Sequence, residues 1–295
     1  MNADEKTRYD RQMRLWGKST QERLRRTEVN IKGITSANAE VAKNLVLAGV
    51  GSVVLDDTAP VEAADLKHSF ILQGCKLGER RGEASAGKLQ SLNPYVAVSS
   101  SREIRNRDGA PQSNSSLRVV LARAKCEADM LECAGDPLSG SADVMLLTVD
   151  LGHLTAGFFL YRKQKIPFVA QLRALLDEEV GTRPVVFQRV LLLLKMAECP
   201  QELNYFERLL FAKDFVRQRS LLQLTREDIE FAAAATGELM HSTAIETTVA
   251  GGVFAQLIIH TIGMGSEEMG EGEYAWAISD TSDGVEVQVG HLRNP

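Results

Sequence analysis

The hydrophobic pattern near the start of the chain predicts a strand, a helix and a second strand in succession. A β-prone run over residues 29–32 precedes a turn at Gly33, and apolar residues recur at helical spacing over residues 38–48. A second apolar run over residues 52–55 ends in the acid pair Asp56-Asp57. This order of strand, glycine turn, helix, strand and acid is typical of a βαβ nucleotide-binding unit.

Strand-like and helix-like segments continue to alternate as far as about residue 172. The expected elements are a helix over residues 80–92 that ends at Asn93-Pro94, a strand over 96–98, a loop over 107–116, a helix over 117–133, a strand over 142–149, a helix over 153–165 and a strand over 166–172. Such alternation predicts an α/β fold, with a doubly wound, mostly parallel Rossmann-like sheet and helices on both of its faces.

The last third of the chain has a different character. Residues 195–240 are charged and helical without a strand signal, which predicts a helical insertion within a single domain over residues 1–295. Gly251-Gly252 gives a later helix a small-residue face, which we expect to pack closely in the core or against another subunit. Asp283-Gly284 separates two strand-like segments and predicts a β-hairpin.

The glycine loop of the βαβ unit is incomplete. In a G-x-G-x-x-G loop the later glycines let the backbone approach a pyrophosphate and let the helix pack on the strand. If Gly33 is the first glycine, the later positions hold Thr35 and Asn38, or Ser36 and Asn38 in the spacing Gly-x-x-Gly-x-Gly. Side chains there would crowd the phosphates, so the sequence predicts the fold of a nucleotide-binding domain with poor nucleotide binding of its own.

Composition narrows the classes of partner. A net charge of −5 gives no basic footprint for nucleic acid, and no apolar run approaches the length of a membrane helix, so neither partner is expected. The first residues lack an apolar stretch that could act as a signal peptide, so we expect an intracellular location. The four cysteines are widely spaced, which predicts no metal site, and Cys199, a candidate nucleophile, has no histidine near it in sequence.

Four segments together resemble a known family. They are "YDRQMRLWG" at residues 9–17, "NAEVAKNLVLAGVGSVVLDD" at 38–57, "GEASAGKLQSLNP" at 82–94 and "VAGGVFAQLIIHTIG" at 249–263. They resemble the ThiF/MoeB-type adenylation domains of the enzymes that activate ubiquitin-like proteins, and are most similar to the non-catalytic subunits of SUMO-type heterodimers. In this family an active domain binds ATP and Mg²⁺, joins AMP to the C-terminal glycine of the modifier, and passes the product to a catalytic cysteine.

The resemblance implies that this chain is a pseudo-adenylation domain, inactive by itself. The family's acidic, amide and basic pocket positions correspond here to Asp57, Ala59, Asp65, Lys67, His68 and Arg81, and its later Asp-Cys-Thr-Asp-Asn run corresponds to residues 147–151, "LTVDL", which keep only Asp150. Most of the polar groups that hold magnesium and phosphate are therefore missing. ATP and Mg²⁺ are expected in the partner subunit and not in this chain.

Arg11 is the residue to which the resemblance assigns a catalytic role. In the family, this arginine reaches across the dimer interface and contacts the ATP bound in the partner, as an arginine finger does. Without the family it would be one of several solvated arginines, but its neighbours also match. We expect Arg14 to be a structural or interface partner, and Leu15 with Trp16 to anchor the helix by packing.

The resemblance therefore predicts the non-catalytic subunit of a SUMO-activating enzyme. Its partners would be the catalytic subunit and a SUMO-like modifier, in the nucleus and cytoplasm. One alternative is the equivalent subunit of a NEDD8-activating enzyme, against which the short segment over residues 169–249 argues. Others are a non-enzymatic scaffold and a NAD-dependent oxidoreductase, which needs the glycine loop that is missing here.

Overall fold

The structure is a computed structural model that describes residues 1–105, 117–136, 139–162, 166–178, 180–235, 244–264, 274–282 and 284–291. The loop expected over 107–116, the end of the expected insertion at 236–240, and Asp283 of the expected hairpin turn lie outside the described residues. The division into one domain with an insertion over 195–240 stays a prediction.

The described elements form one eight-stranded sheet with helices around it. The strands are β1 (Thr27–Lys32), β2 (Ser52–Asp56), β3 (Ala97–Ser100), β4 (Leu117–Ala124), β5 (Val144–Leu151), β6 (Leu154–Tyr161), β7 (Tyr274–Asp280) and β8 (Glu286–His291). The helices are α1 (Ala3–Trp16), α2 (Lys18–Leu24), α3 (Ser36–Ala48), α4 (Ala63–His68), α5 (Arg81–Leu92), α6 (Ser101–Arg105), α7 (Glu127–Gly135), α8 (Phe168–Asp177), α9 (Val185–Ala197), α10 (Tyr205–Gln218), α11 (Arg226–Ala234) and α12 (Ala244–Met264).

The order of the strands is β3-β2-β1-β4-β5-β6-β7-β8. Strands β1 to β5 pair in parallel, whereas β6, β7 and β8 extend the sheet as antiparallel strands. Alternate residues of β4 contribute to two different cores, since Val120 packs with α7 to α11 and Val119 packs with α3 and α12. The predicted α/β fold with helices on both faces is confirmed.

Three of the expected elements are wrong in type, and two of them are strands that were expected to be helical. Residues 117–124 form β4 and not the first half of a helix, because they are buried between β1 and β5. Residues 154–161, expected to be helical, form β6, all eight of whose residues are buried between β5 and β7. A strand buried on both faces shows no alternation of apolar and polar residues, so periodicity alone does not distinguish it from a helix.

The segment expected as a strand over residues 166–172 begins α8 instead. Pro167 is the N-cap residue, directly before the first helical residue, and a proline near a helix start leaves no intrahelical hydrogen bond unmade. Phe168, Leu172 and Leu175 then recur at helical spacing and are buried. These two signals, overlooked in the sequence, predict a helix.

Helix α12 is the one described helix that by length and composition could cross a bilayer, which corrects the expectation that no segment approaches that length. More than half of it is buried inside the fold, where it packs against α2, α3, β6 and β7. A Cβ added at Gly251 would lie 2.5 Å from Cβ of Glu40 on α3. The Gly251 face is therefore a core contact within this chain. A Cβ added at Gly252, by contrast, would have no atom within 4 Å.

Candidate functional site

Helix α1, which carries Arg11, is fixed at its first turn. The side chain of Asn2 accepts a hydrogen bond from the backbone N–H of Glu5, and the Glu5 carboxylate accepts one in return from the backbone N–H of Asn2. The buried Glu5 carboxylate also pairs with Arg25 Nε at 2.6 Å, just beyond α2. The capping box and the ion pair thus set where α1 begins.

Tyr9 anchors the middle of α1. Its ring is buried against Gly49, which ends α3 in the left-handed conformation, and its hydroxyl accepts a 2.7 Å hydrogen bond from Nδ2 of buried Asn93. The ring of Tyr95 meets it edge-on, with the two ring centroids 6.5 Å apart. Burial raises the pKa of the Tyr9 phenol above its usual value, while the hydrogen bond from Asn93 opposes that rise. The first aromatic residue of "YDRQMRLWG" therefore has a structural role.

The C-terminal carbonyls of α3 are bonded by side chains from three other segments. Gln12 Nε2 donates to the carbonyl of Leu47 at 3.3 Å, and Gln21 Nε2 donates to that of Ala48 at 2.7 Å. Asn93 Nδ2 donates to the carbonyl of Val46 at 2.7 Å. The last carbonyls of a helix lack the usual i+4 partner; the Val46 carbonyl also accepts from the N–H of Gly49 at 3.1 Å. The side chains complete the bonding of this helix end, and the bond from Gln12 joins α1 to α3.

The opposite side of α1 faces outward. Arg11 is exposed and makes no hydrogen bond or ion pair with any residue that the structure describes, whereas Arg14 pairs with Asp10 at 2.8 Å. Trp16 packs partly buried on the core and donates to Gln21 at 3.2 Å, as an anchor should. The expectation that Leu15 anchors the helix is wrong for this chain, because its side chain is 79% exposed.

The loop that replaces the glycine loop, residues 33–38, is satisfied by bonds within the chain. Asp57 Oδ2 accepts from the backbone N–H of Ile34 at 2.7 Å, and Thr35 caps α3 by accepting from the N–H of Asn38 at 3.1 Å. Asn38, fully buried, donates to the carbonyl of Gly33 and accepts from Thr148 Oγ1 at 2.8 Å. Backbone donors that a phosphate would use thus bond to side chains of the chain itself.

Arg81 fills the space next to this loop. Its guanidinium is almost completely buried, with Nε 2.7 Å from Asp65, Nη2 3.6 Å from Glu62 and Nη1 3.9 Å from Asp57. Asp57 is held further by the backbone N–H of Ala59 at 2.8 Å. The acid that could bind a ribose is therefore part of an internal ion-pair cluster, here called the Arg81 cluster.

The other residues at pocket positions do not form a second site. Lys67 is exposed and His68 half-buried at the end of α4, and Asp150 is half-buried near the end of β5. Among the described residues, no three His, Cys, Asp or Glu side chains are placed to hold a metal ion.

All four cysteines lie in described segments and are thiols, not disulfides. Burial raises the pKa of the Cys75, Cys126 and Cys133 thiols above the usual value, and Cys199 is buried near the end of α9. A raised pKa leaves less thiolate at neutral pH, so Cys75, Cys126 and Cys133 are poor nucleophiles.

Three residues that position α1 were missed in the sequence. Asn93 was interpreted only as a helix stop, Gly49 only as a helix end, and Gln21 was not considered. Asn93 and Gly49 lie in segments on which the family resemblance rests, but their contacts with Tyr9 join positions far apart in the chain. Nothing in the local pattern indicates those contacts.

Comparison with known proteins places the strongest similarity in the N-terminal part. The ThiF family model matches residues 9–138. SUMO-activating enzyme subunit 1 of Xenopus laevis is 41% identical over 131 residues, 44% of this chain and 38% of that protein. Human SUMO-activating enzyme subunit 1 is 41% identical over 98 residues, 33% of this chain and 28% of that protein. The NEDD8-activating enzyme E1 regulatory subunit of Caenorhabditis elegans is 44% identical over 100 residues, 34% of this chain and 18% of that protein.

The match thus spans less than half the length of each of these relatives. Two solved structures resemble nearly the whole chain. PaaA has a TM-score of 0.58 at 14% identity, over 99% of this chain and 84% of that one. Escherichia coli MccB with succinimide has a TM-score of 0.56 at 14% identity, over 98% of this chain and 72% of that one. At such identities the likeness shows the fold alone.

Proposed function

We propose that the chain is the non-catalytic subunit of a heterodimer that activates a SUMO-type modifier, because the ThiF family model matches residues 9–138 and SUMO-activating enzyme subunit 1 is 41% identical over 131 residues. In this proposal the catalytic partner subunit binds ATP and Mg²⁺, adenylates the C-terminus of the modifier, and carries the catalytic cysteine. This chain supports that site and donates Arg11 to the ATP phosphates. The complex would act in the nucleus and cytoplasm.

The observation that carries the proposal is the contrast between Arg11 and the Arg81 cluster. Arg81 forms ion pairs with Asp57 and Asp65 beside the loop over residues 33–38. These pairs argue against a nucleotide in this chain's own pocket. Arg11 is exposed and has no partner among the described residues, and its helix is held to the fold by Tyr9, Gln12 and Trp16. A charge held on a rigid support and left without a partner is suited to a ligand outside the chain.

The chemistry of adenylyl transfer explains the role proposed for Arg11. Attack of a carboxylate on the α-phosphate of ATP releases pyrophosphate, so negative charge increases on the leaving group. A guanidinium is always protonated and forms two parallel hydrogen bonds to phosphate oxygens. It stabilises the developing charge most where water is excluded, as between two subunits.

The equivalent subunit of a NEDD8-activating enzyme is the second candidate. It is supported by the 44% identity to the nematode NEDD8-activating enzyme E1 regulatory subunit over 100 residues. The two candidates share the proposed role of Arg11 and differ in the catalytic partner and the modifier. A direct comparison of partners therefore separates them.

The test is ATP–pyrophosphate exchange by the chain reconstituted with each candidate catalytic subunit and its modifier. Arg11→Ala is expected to lower exchange about 100-fold, the usual cost of losing one donor to transition-state charge. Arg11→Lys keeps the charge but not the paired bonds, and should recover only part of that rate. Arg14→Ala is the matched control, since Arg14 is also exposed on α1 but pairs with Asp10. Co-elution checks that each variant still binds its partner.

Each result has a definite meaning. Exchange by the isolated chain refutes the non-catalytic role, and equal rates for Arg11→Ala and Arg14→Ala refute the donation of Arg11. Activity only with the NEDD8-type subunit selects the second candidate. Failure of the wild-type chain to bind either catalytic subunit favours a scaffold.

A further inference from the structure

Leu15 is the most conspicuous apolar side chain on α1, and the fold of this chain gives it no packing role. It is 79% exposed, four residues after Arg11 and three after Gln12, so the three share one side of the helix. Gln12 donates to the carbonyl of Leu47, which places Leu15 on the flank of α1 nearest the end of α3. Leu47 is itself 39% exposed, and its carbonyl is the one that Gln12 bonds, so both leucines lie where α1 meets the end of α3.

The segment that carries Leu15 is positively charged. Residues 1–26 contain eight Lys or Arg against four Asp or Glu, although the whole chain carries −5. Glu5, Asp10 and Glu22 already pair with Arg25, Arg14 and Lys18. The charge left over in this segment is therefore positive, and Lys6 and Arg11 are exposed on α1, the helix that carries Leu15. A complementary partner surface is acidic.

We propose that Leu15 and Leu47 form a docking surface that enters an apolar pocket with an acidic rim on the catalytic subunit, about one helical turn from Arg11. This inference rests on the proposed function. It assigns different functions to two residues of α1, Leu15 and Arg11. Burial of Leu15 in the complex sets the affinity of the two subunits, whereas Arg11 sets the rate of adenylation once they are bound.

The experiment separates affinity from rate. The purified catalytic subunit, with its modifier and ATP, is titrated with the full-length chain, and exchange is recorded at each concentration. Leu15→Ala is expected to raise the concentration for half-maximal exchange about tenfold, with the rate at saturation changed less than twofold. Arg11→Ala is expected to do the reverse. Raising the ionic strength from 50 to 500 mM is expected to weaken binding, because the paired charges are exposed at the rim.

Leu222 supplies the matched control. It is 83% exposed between α10 and α11, whose apolar residues pack on the other face of the sheet from α3. Leu222→Ala is expected to leave the titration unchanged, and urea unfolding of the isolated Leu15→Ala chain should match wild type. Equal titrations for Leu15→Ala and Leu222→Ala overturn the docking surface while the proposed function stands. Binding that salt does not weaken overturns the acidic rim, and absence of wild-type binding overturns both this inference and the proposed function.

Discussion

Gly49→Ala is expected to destabilise the chain by about 2–5 kcal/mol through two separable effects. Gly49 has φ of +86°, a left-handed conformation that costs a residue with a Cβ about 1–2 kcal/mol. Its added Cβ would also lie 2.5 Å from Cζ and 2.6 Å from Oη of Tyr9, so the ring must move. Overpacking of a buried side chain costs about 1–3 kcal/mol more. Urea unfolding of the purified chain measures the sum.

Two variants isolate the two effects. Gly74 has φ of +85° and nothing within 4 Å of an added Cβ, so Gly74→Ala reports the backbone cost alone, about 1–2 kcal/mol. Tyr9→Leu removes the ring atoms that meet the Cβ, and Gly49→Ala in that background should fall to the same backbone cost. The coupling between positions 9 and 49 is then about 1–3 kcal/mol. If Gly49→Ala costs the same with leucine at position 9 as with tyrosine, the ring does not anchor α1 against Gly49, and the account of how Arg11 is positioned fails.

The remaining predictions concern the Arg81 cluster and α12. Arg81→Met is expected to cost about 3–5 kcal/mol in urea unfolding, because it leaves Asp57 and Asp65 without their buried cation, and Asp65→Asn in the same chain should recover part of the loss. A loss below about 1 kcal/mol would show that the cluster does not balance these charges. Gly251→Ala should destabilise, since its Cβ meets Glu40 at 2.5 Å, whereas Gly252→Ala should stabilise by up to about 1 kcal/mol through helix propensity. Equal effects of the two substitutions would contradict the packing of α12 on α3.

The βαβ unit was predictable because its signals are local. The turn at Gly33, the helix that ends before Gly49 and the strand that ends at Asp56 each depend on residues within one element. The central strands were not predictable in the same way. In β6 every residue is buried, so the segment has no polar face, and only its position between β5 and β7 makes it a strand.

The candidate site divides along the same line. Arg11 could be singled out because the surrounding motif is contiguous in sequence, and the loss of the glycine loop is visible in Thr35 and Asn38. The residues that fill the pocket could not be predicted from the sequence. Arg81 meets Asp57 and Asp65 only after the chain folds back, and a basic residue in the place of a lysine gives no sign that it is buried among acids. The exposure of Leu15 likewise depends on how α1 lies across α3.

The contacts of Tyr9 have a consequence for the order in which the nascent chain matures. Its hydroxyl bonds to Asn93, 84 residues further along the chain, so the ribosome makes α1 first and its anchor much later. At about 5–20 residues per second, roughly 4 to 17 seconds separate the two. An isolated helix of this length is marginal in water. Helix α1 has neither anchor until Gly49 is made, and it lacks the hydrogen bond from Asn93 for the whole interval. Helix α1 is therefore fixed only after a segment that is made much later, and a ribosome that stalls before residue 93 leaves Arg11 on a helix that lacks this anchor.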